Sequence, residues 1–107
     1  MWIIAGHDGT NPINAVWYST DGTDWTQATA NAQWSARQDT VVDVFNEKMW
    51  VIGGFAAART NDVWYSTDGV DWTESITNAE WGARYQHSSV VFNNQMWAIG
   101  GDTASDT

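Results

Sequence analysis

The side chains that could do chemistry in this sequence are few, and most of them come in pairs. Arg37 and Arg84 are guanidinium groups suited to a carboxylate, another anion or a set of backbone carbonyls. His87 stands beside Ser88 and Ser89 without the two further ligands that a zinc site requires, so a structural role is expected of it. Asp21 with Asp24, and Asp68 with Asp71, have the look of paired carboxylates for calcium or acid–base work. Their spacing also fits hairpin turns, in which Asp side chains accept nearby backbone N–H groups, and that reading is the expected one. Trp34 and Trp81 are expected to be the most exposed aromatics, each able to stack on a sugar ring or a partner side chain, or else to cover the junction between repeats. No Ser-His-Asp set, phosphate-cradling glycine loop or metal-spaced cluster occurs, so no catalytic residue, metal or cofactor is expected.

Composition narrows the classes further. Four Lys plus Arg against thirteen Asp plus Glu give a formal charge of -9. Such an acid surplus repels phosphate backbones and anionic headgroups, which argues against nucleic acid and membrane partners. No apolar run approaches the roughly 20 residues needed to span a bilayer, and a soluble chain without a targeting segment is expected. Cysteine is absent, which excludes disulfides and thiolate chemistry; a thiol-free chain tolerates either redox state, so no compartment follows.

The elements that must position these residues are repeats. Val16-Trp17-Tyr18-Ser19-Thr20-Asp21-Gly22 recurs as Val63-Trp64-Tyr65-Ser66-Thr67-Asp68-Gly69, Asp24-Trp25-Thr26 as Asp71-Trp72-Thr73, and Trp34, Ala36 and Arg37 as Trp81, Ala83 and Arg84. A third landmark occurs three times, as Met1 to Gly6, Met49 to Gly54 and Met96 to Gly101. Repetition of this period is the mark of stacked supersecondary units. Asp21-Gly22 and Asp68-Gly69 predict tight hairpins, and residues 46–48 and 93–95 predict a second kind. The strands of one unit are then Val41 to Phe45 (or Ser88 to Phe92), Met49 to Ile52, Val63 to Ser66, and Trp72 to Ser75. Met49 to Ile52 is apolar on consecutive residues, as a strand buried on both faces would be. Trp2, Trp17, Trp25, Trp50, Trp64, Trp72 and Trp97 are all expected in the core.

The succession Arg84, His87, an apolar strand ending in Phe92, Gly100-Gly101 and, in the preceding unit, Tyr65 then Trp72 resembles the Kelch repeat. The likeness covers essentially the whole chain, with departures at Ala5-Gly6 and at Thr40, which stands where the second unit has His87. The Ser-Thr-Asp-Gly-x-x-Trp turn is also similar to the sialidase-type Asp-box. Both resemblances imply an all-β fold of β-propeller blades, each of four antiparallel strands; the Kelch likeness implies an interaction platform, and a non-enzymatic module is expected. They also imply that Arg37 and Arg84 tie neighbouring blades together. The copper chemistry of the galactose oxidase relatives needs a cysteine-modified tyrosine, which this chain lacks.

The units run from about 1 to 40 and 41 to 87, with a partial unit over 88–107. One such chain does not close a ring, and its end faces would expose Trp and Val, which marks an association surface. A head-to-tail homo-oligomer is expected, with about six blades from a trimer or eight from a tetramer. In it, Met96 to Ile99 of one copy and Met1 to Ile4 of the next compete for the slot beside Ser88 to Phe92, so one of them is displaced or swapped. The alternatives are a lectin-like ring that binds glycans, or a protein ligand, through Trp34, Arg37, Trp81, Arg84 and His87, and an enzymatic domain severed from its active-site parts. The internal likeness and the start at a strand are what a fragment engineered or excised from a longer propeller would show.

Overall fold

The computed structural model describes residues 1–103. It is all-β, with antiparallel pairing in every sheet and no helix among the described residues. The first sheet has three strands in sequential order, β1 (Trp2–Ile4), β2 (Val16–Tyr18) and β3 (Thr26–Thr29). The second has four, β4 (Val41–Phe45), β5 (Lys48–Phe55), β6 (Arg59–Ser66) and β7 (Thr73–Ile76). The third is the hairpin of β8 (Ser88–Phe92) and β9 (Gln95–Ile99). Residues 104–107 of the partial third unit lie outside the described residues.

Turn chemistry sets the registers. Asn46-Glu47 and Asn93-Asn94 all have positive φ, between 54° and 60°, the two-residue geometry whose twist matches that of the strands it joins. Phe45 therefore pairs with Lys48, and Phe92 with Gln95. The Asp-Gly sites are not the tight hairpins that the sequence predicts. Only Gly22 and Gly69 take positive φ there, and β2 joins β3 through a longer turn over residues 19–25. Ser19 Oγ accepts the N–H groups of Asp21 and Gly22, while Asp21 Oδ1 accepts those of Thr23 and Asp24. Ser66 and Asp68 repeat the same bonds with Asp68, Gly69, Val70 and Asp71. These N–H groups, with help from the serine hydroxyls, hold the Asp21 and Asp68 carboxyls below the usual carboxylate range. The expected turn role thus holds for the Asp21 and Asp68 side chains, in a larger loop than Asp-Gly alone suggests, whereas Asp24 and Asp71 enter it through their backbone N–H groups.

The connections between sheets lace each one to the next. The segment leading into the second sheet exchanges bonds with the first, Gly6 N–H to the Arg37 carbonyl and Arg37 N–H to that of Ile13. It then pairs with its own sheet through Gln38 and Phe55. The segment leading into the hairpin repeats this, with Gly54 N–H on Arg84, Arg84 N–H on Thr60, and Tyr85 paired with Asp102. Asn14 and Asn61 clamp the intervening loops by donating to the carbonyls of Ala32 and Trp34, and of Ala79 and Trp81.

The core lies between the first two sheets: Ala5, Val16, Ala32 and Trp34 from the first unit meet Val51 and Trp72 of the second, flanked by Ile4, Ala28, Met49 and Trp64. Val51 and Ile52 are buried on consecutive residues, as expected of a strand covered on both faces, whereas β1 and β9 are largely exposed. Most of the tryptophans expected in the core are not there. Trp2, Trp17 and Trp97 are at least 37% exposed, because they lie on strands of the first and third sheets that no neighbouring sheet covers among the described residues. Trp2 and Trp50 instead lean on Tyr18 and Tyr65 at 5.2 Å between ring centres, and Trp50 and Trp97 donate to the carbonyls of Phe45 and Phe92.

Candidate functional site

Arg37 and Trp34 form one buried unit. Arg37 is fully enclosed, with its guanidinium over the Trp34 ring at 5.9 Å. Its Nε donates to the Ser35 carbonyl and Nη1 to that of Gly53, while Nη2 reaches Ser35 Oγ. Asp62 accepts from both terminal nitrogens, at 2.7 and 2.9 Å, and Thr60 Oγ1 lies at 3.5 Å from Nη1. Burial alone would raise the Asp62 carboxyl, but the Arg37 guanidinium and the indole N–H of Trp64 outweigh it and hold the group below 3.8. All five donors of Arg37 are committed to the fold, consistent with its expected structural role.

Trp34 is 1% exposed, so of its two expected roles, an open stacking face and a cover over the junction between repeats, it takes the second. It meets Trp72 of the second sheet edge-on at 5.8 Å, and its neighbour Gln33 accepts the Trp72 N–H at 2.8 Å. Trp34, Gln33 and Trp72 together seal the seam between the first and second sheets. Trp2 closes the rim of the same seam, lying over Gly69 so closely that a Cβ there would fall 2.4 Å from the indole.

Arg84 and Trp81 repeat the arrangement without a cover. Arg84 donates to the carbonyls of Gly82 and Gly100 and lies over Trp81 at 5.8 Å, but it is only half-buried and has no carboxylate partner among the described residues. Trp81 lines a groove of about 220 Å³ with Ile52, Val63, Met96, Trp97 and Ala98. His87 lies beside Trp81, with ring centres 6.2 Å apart; it is 6% exposed, and neither ring nitrogen has a hydrogen-bond partner. Burial lowers its pKa, the Ile52 carbonyl opposes this, and the nearby Arg84 charge adds to it. The five residues expected as a site thus divide, with Trp34 and Arg37 sealed in one seam and Trp81, Arg84 and His87 gathered beside an open groove.

At the opposite end of the molecule, Ile3, Ile13, Trp17 and Trp25 line an open apolar hollow. Three of these four repeat the positions of residues packed in the interior seam: Ile3 and Trp25 correspond to Val51 and Trp72, both buried, and Trp17 to the partly buried Trp64. Across the groove, Ile52, Val63 and Trp81 correspond to Ile4, Val16 and Trp34. One end thus presents the surface that the second sheet turns to the first, and the other end the surface that receives it.

Sequence reasoning missed Gln33 and Asp62. Asp62 has no counterpart in the first unit, where Ala15 stands, so repetition gave it no weight; Asn14 and Asn61 do recur and were open to that search. No group of three or more His, Cys, Asp or Glu side chains among the described residues is arranged to hold a metal ion. No helix among them is long and apolar enough to cross a membrane. Compared with protein families and with curated proteins, the chain matches none.

Proposed function

We propose that this chain is a non-enzymatic, self-assembling scaffold: two Kelch-like propeller blades and part of a third, closed by head-to-tail association into a ring of about six or eight blades. The observation that carries this reading is the match between the two exposed ends. The interior seam sets Val51, Trp64 and Trp72 against Ile4, Val16 and Trp34; a second copy would set Ile3, Trp17 and Trp25 against Ile52, Val63 and Trp81 in the same way. Heterologous faces of this kind form closed rings when the rotation per copy divides a full turn. Exposed apolar surfaces rimmed by polar residues favour such burial.

The strand edges support the same reading. β1 lacks the strand that β4 supplies to β5, and β9 lacks the strand that β6 supplies to β5. A joint between copies would complete one four-stranded blade, either β8 with the next copy's β1, β2 and β3, displacing β9, or β8 and β9 with the next copy's β2 and β3, displacing its β1. Deletion of residues 96–107 distinguishes the two, since it abolishes assembly only if β9 keeps the slot.

A lectin-like ring is the weaker reading, because Trp34 and Arg37 are sealed and leave no repeated open site on every blade. Solution mass by sedimentation or light scattering tests the proposal. A trimer or tetramer at micromolar concentration is the expected result, and a folded monomer overturns it.

A further inference from the structure

The seam inside the chain and the seam proposed between copies differ at one place, around the arginine. Three side chains offer oxygens to Arg37: Ser35 through Oγ, Thr60 through Oγ1 and Asp62 through both carboxylate oxygens. The corresponding residues around Arg84 are Gly82 of the same copy and, by the repeat register, Ile13 and Ala15 of the next. Every one of the three acceptors is lost. The two backbone contacts are kept, from Arg84 to the Gly82 and Gly100 carbonyls, so the guanidinium is held in the same pose. Gly82 opens space rather than filling it, as nothing lies within 4 Å of where its Cβ would be. Replacing Asp62 by the counterpart Ala15 removes a whole carboxyl group from the wall.

We propose that the seam between copies holds a binding site for a small carboxylate, gripped by Arg84 against Trp81 in the space that Asp62 occupies in the interior seam. The inference rests on the ring reading above, because only a second copy encloses Arg84. A guanidinium buried without an anion is strongly unfavourable, and a planar carboxylate meets its forked donors two at a time. Assembly is then coupled to the anion, which binds the closed seam better than the open face and so draws copies together.

Association is measured by sedimentation in sodium acetate and in sodium chloride at equal ionic strength. Acetate is expected to tighten wild-type association about tenfold or more over chloride. Ala15→Asp, which restores the missing carboxylate, is expected to associate equally tightly in both salts, and Arg84→Met to lose the acetate effect. Gly82→Ser, placed where its side chain has room, is expected to give a smaller gain in chloride and guards against misfolding of Ala15→Asp. Association that is the same in both salts and unchanged by Ala15→Asp and Gly82→Ser overturns the carboxylate site while leaving the ring intact. A chain that stays monomeric in every salt and every variant overturns the ring, and the site with it.

Discussion

The buried seam between the first two sheets and the bare faces at the two ends are built from the same residue types, yet only the seam is finished. Trp34 is 1% exposed and Trp72 4%, whereas Trp17 and Trp97, at positions just as apolar, are 37% and 45% exposed. Sequence type therefore does not decide burial in this molecule; the presence of a neighbouring sheet does. The polar groups follow the same division. Arg37 spends every donor inside the seam, and Arg84, with the same backbone contacts, keeps part of its guanidinium uncommitted.

That comparison breaks most sharply at the paired tryptophans. Trp34→Ala is expected to cost about 3–5 kcal/mol in urea unfolding, as large aromatic truncations in a core do, while Trp81→Ala costs the single chain about 1 kcal/mol or less and instead abolishes association in sedimentation. Equal losses of stability for the two would mean that the groove is already part of the folded core. Asp62→Ala comes next, leaving Arg37 buried and unpaired; about 3 kcal/mol is expected, and the double variant with Arg37→Met should recover much of it, because removing both charges avoids the unpaired one. A double variant as unstable as the single would show that packing around Asp62, not charge, is what matters.

Legibility in the sequence followed repetition. The strands Val41 to Phe45 and Ser88 to Phe92 lie where the pattern predicted, since each ends at a turn whose Asn residues take positive φ. The strands Met49 to Ile52 and Val63 to Ser66 are longer in the structure, reaching Phe55 and beginning at Arg59, because Thr60 pairs with Gly54 across a register shift that no local pattern announces. Trp34 lies in a connection, which the sequence alone leaves open between an exposed face and a cover over the junction, because connections commonly run over the surface. Its burial comes from Trp72, thirty-eight residues further along the chain, together with the Asn14 clamp on its carbonyl. Asp62 was invisible for the opposite reason: it is a place where the two units differ, and a search for likeness passes over differences.

Smaller effects sharpen the same contrast. Ser66→Ala removes the acceptor for the Asp68 and Gly69 N–H groups and is expected to lower stability by about 1 kcal/mol in thermal or urea unfolding. The smallest effect is in pH. His87 is held neutral by burial, so its pKa lies below 6.5 in the folded chain. The unfolded chain then takes up the proton first as pH falls below 6.5, and stability declines until the folded value is passed. His87→Thr, which copies Thr40 of the first unit, should flatten that part of the stability–pH curve. A slope that persists in the variant would assign the titration to another group.

The two end faces are different surfaces, and this gives the molecule a polarity. A charge placed in the hollow, as in Trp25→Arg, would disable one end of each copy, and a charge in the groove, as in Trp81→Arg, would disable the other. Each variant acts as a stopper of opposite sense, and an equimolar mixture of the two has only one compatible joint left. If copies associate as proposed, growth is expected to halt at an open pair in that mixture, and sedimentation at twice the single-chain mass checks it.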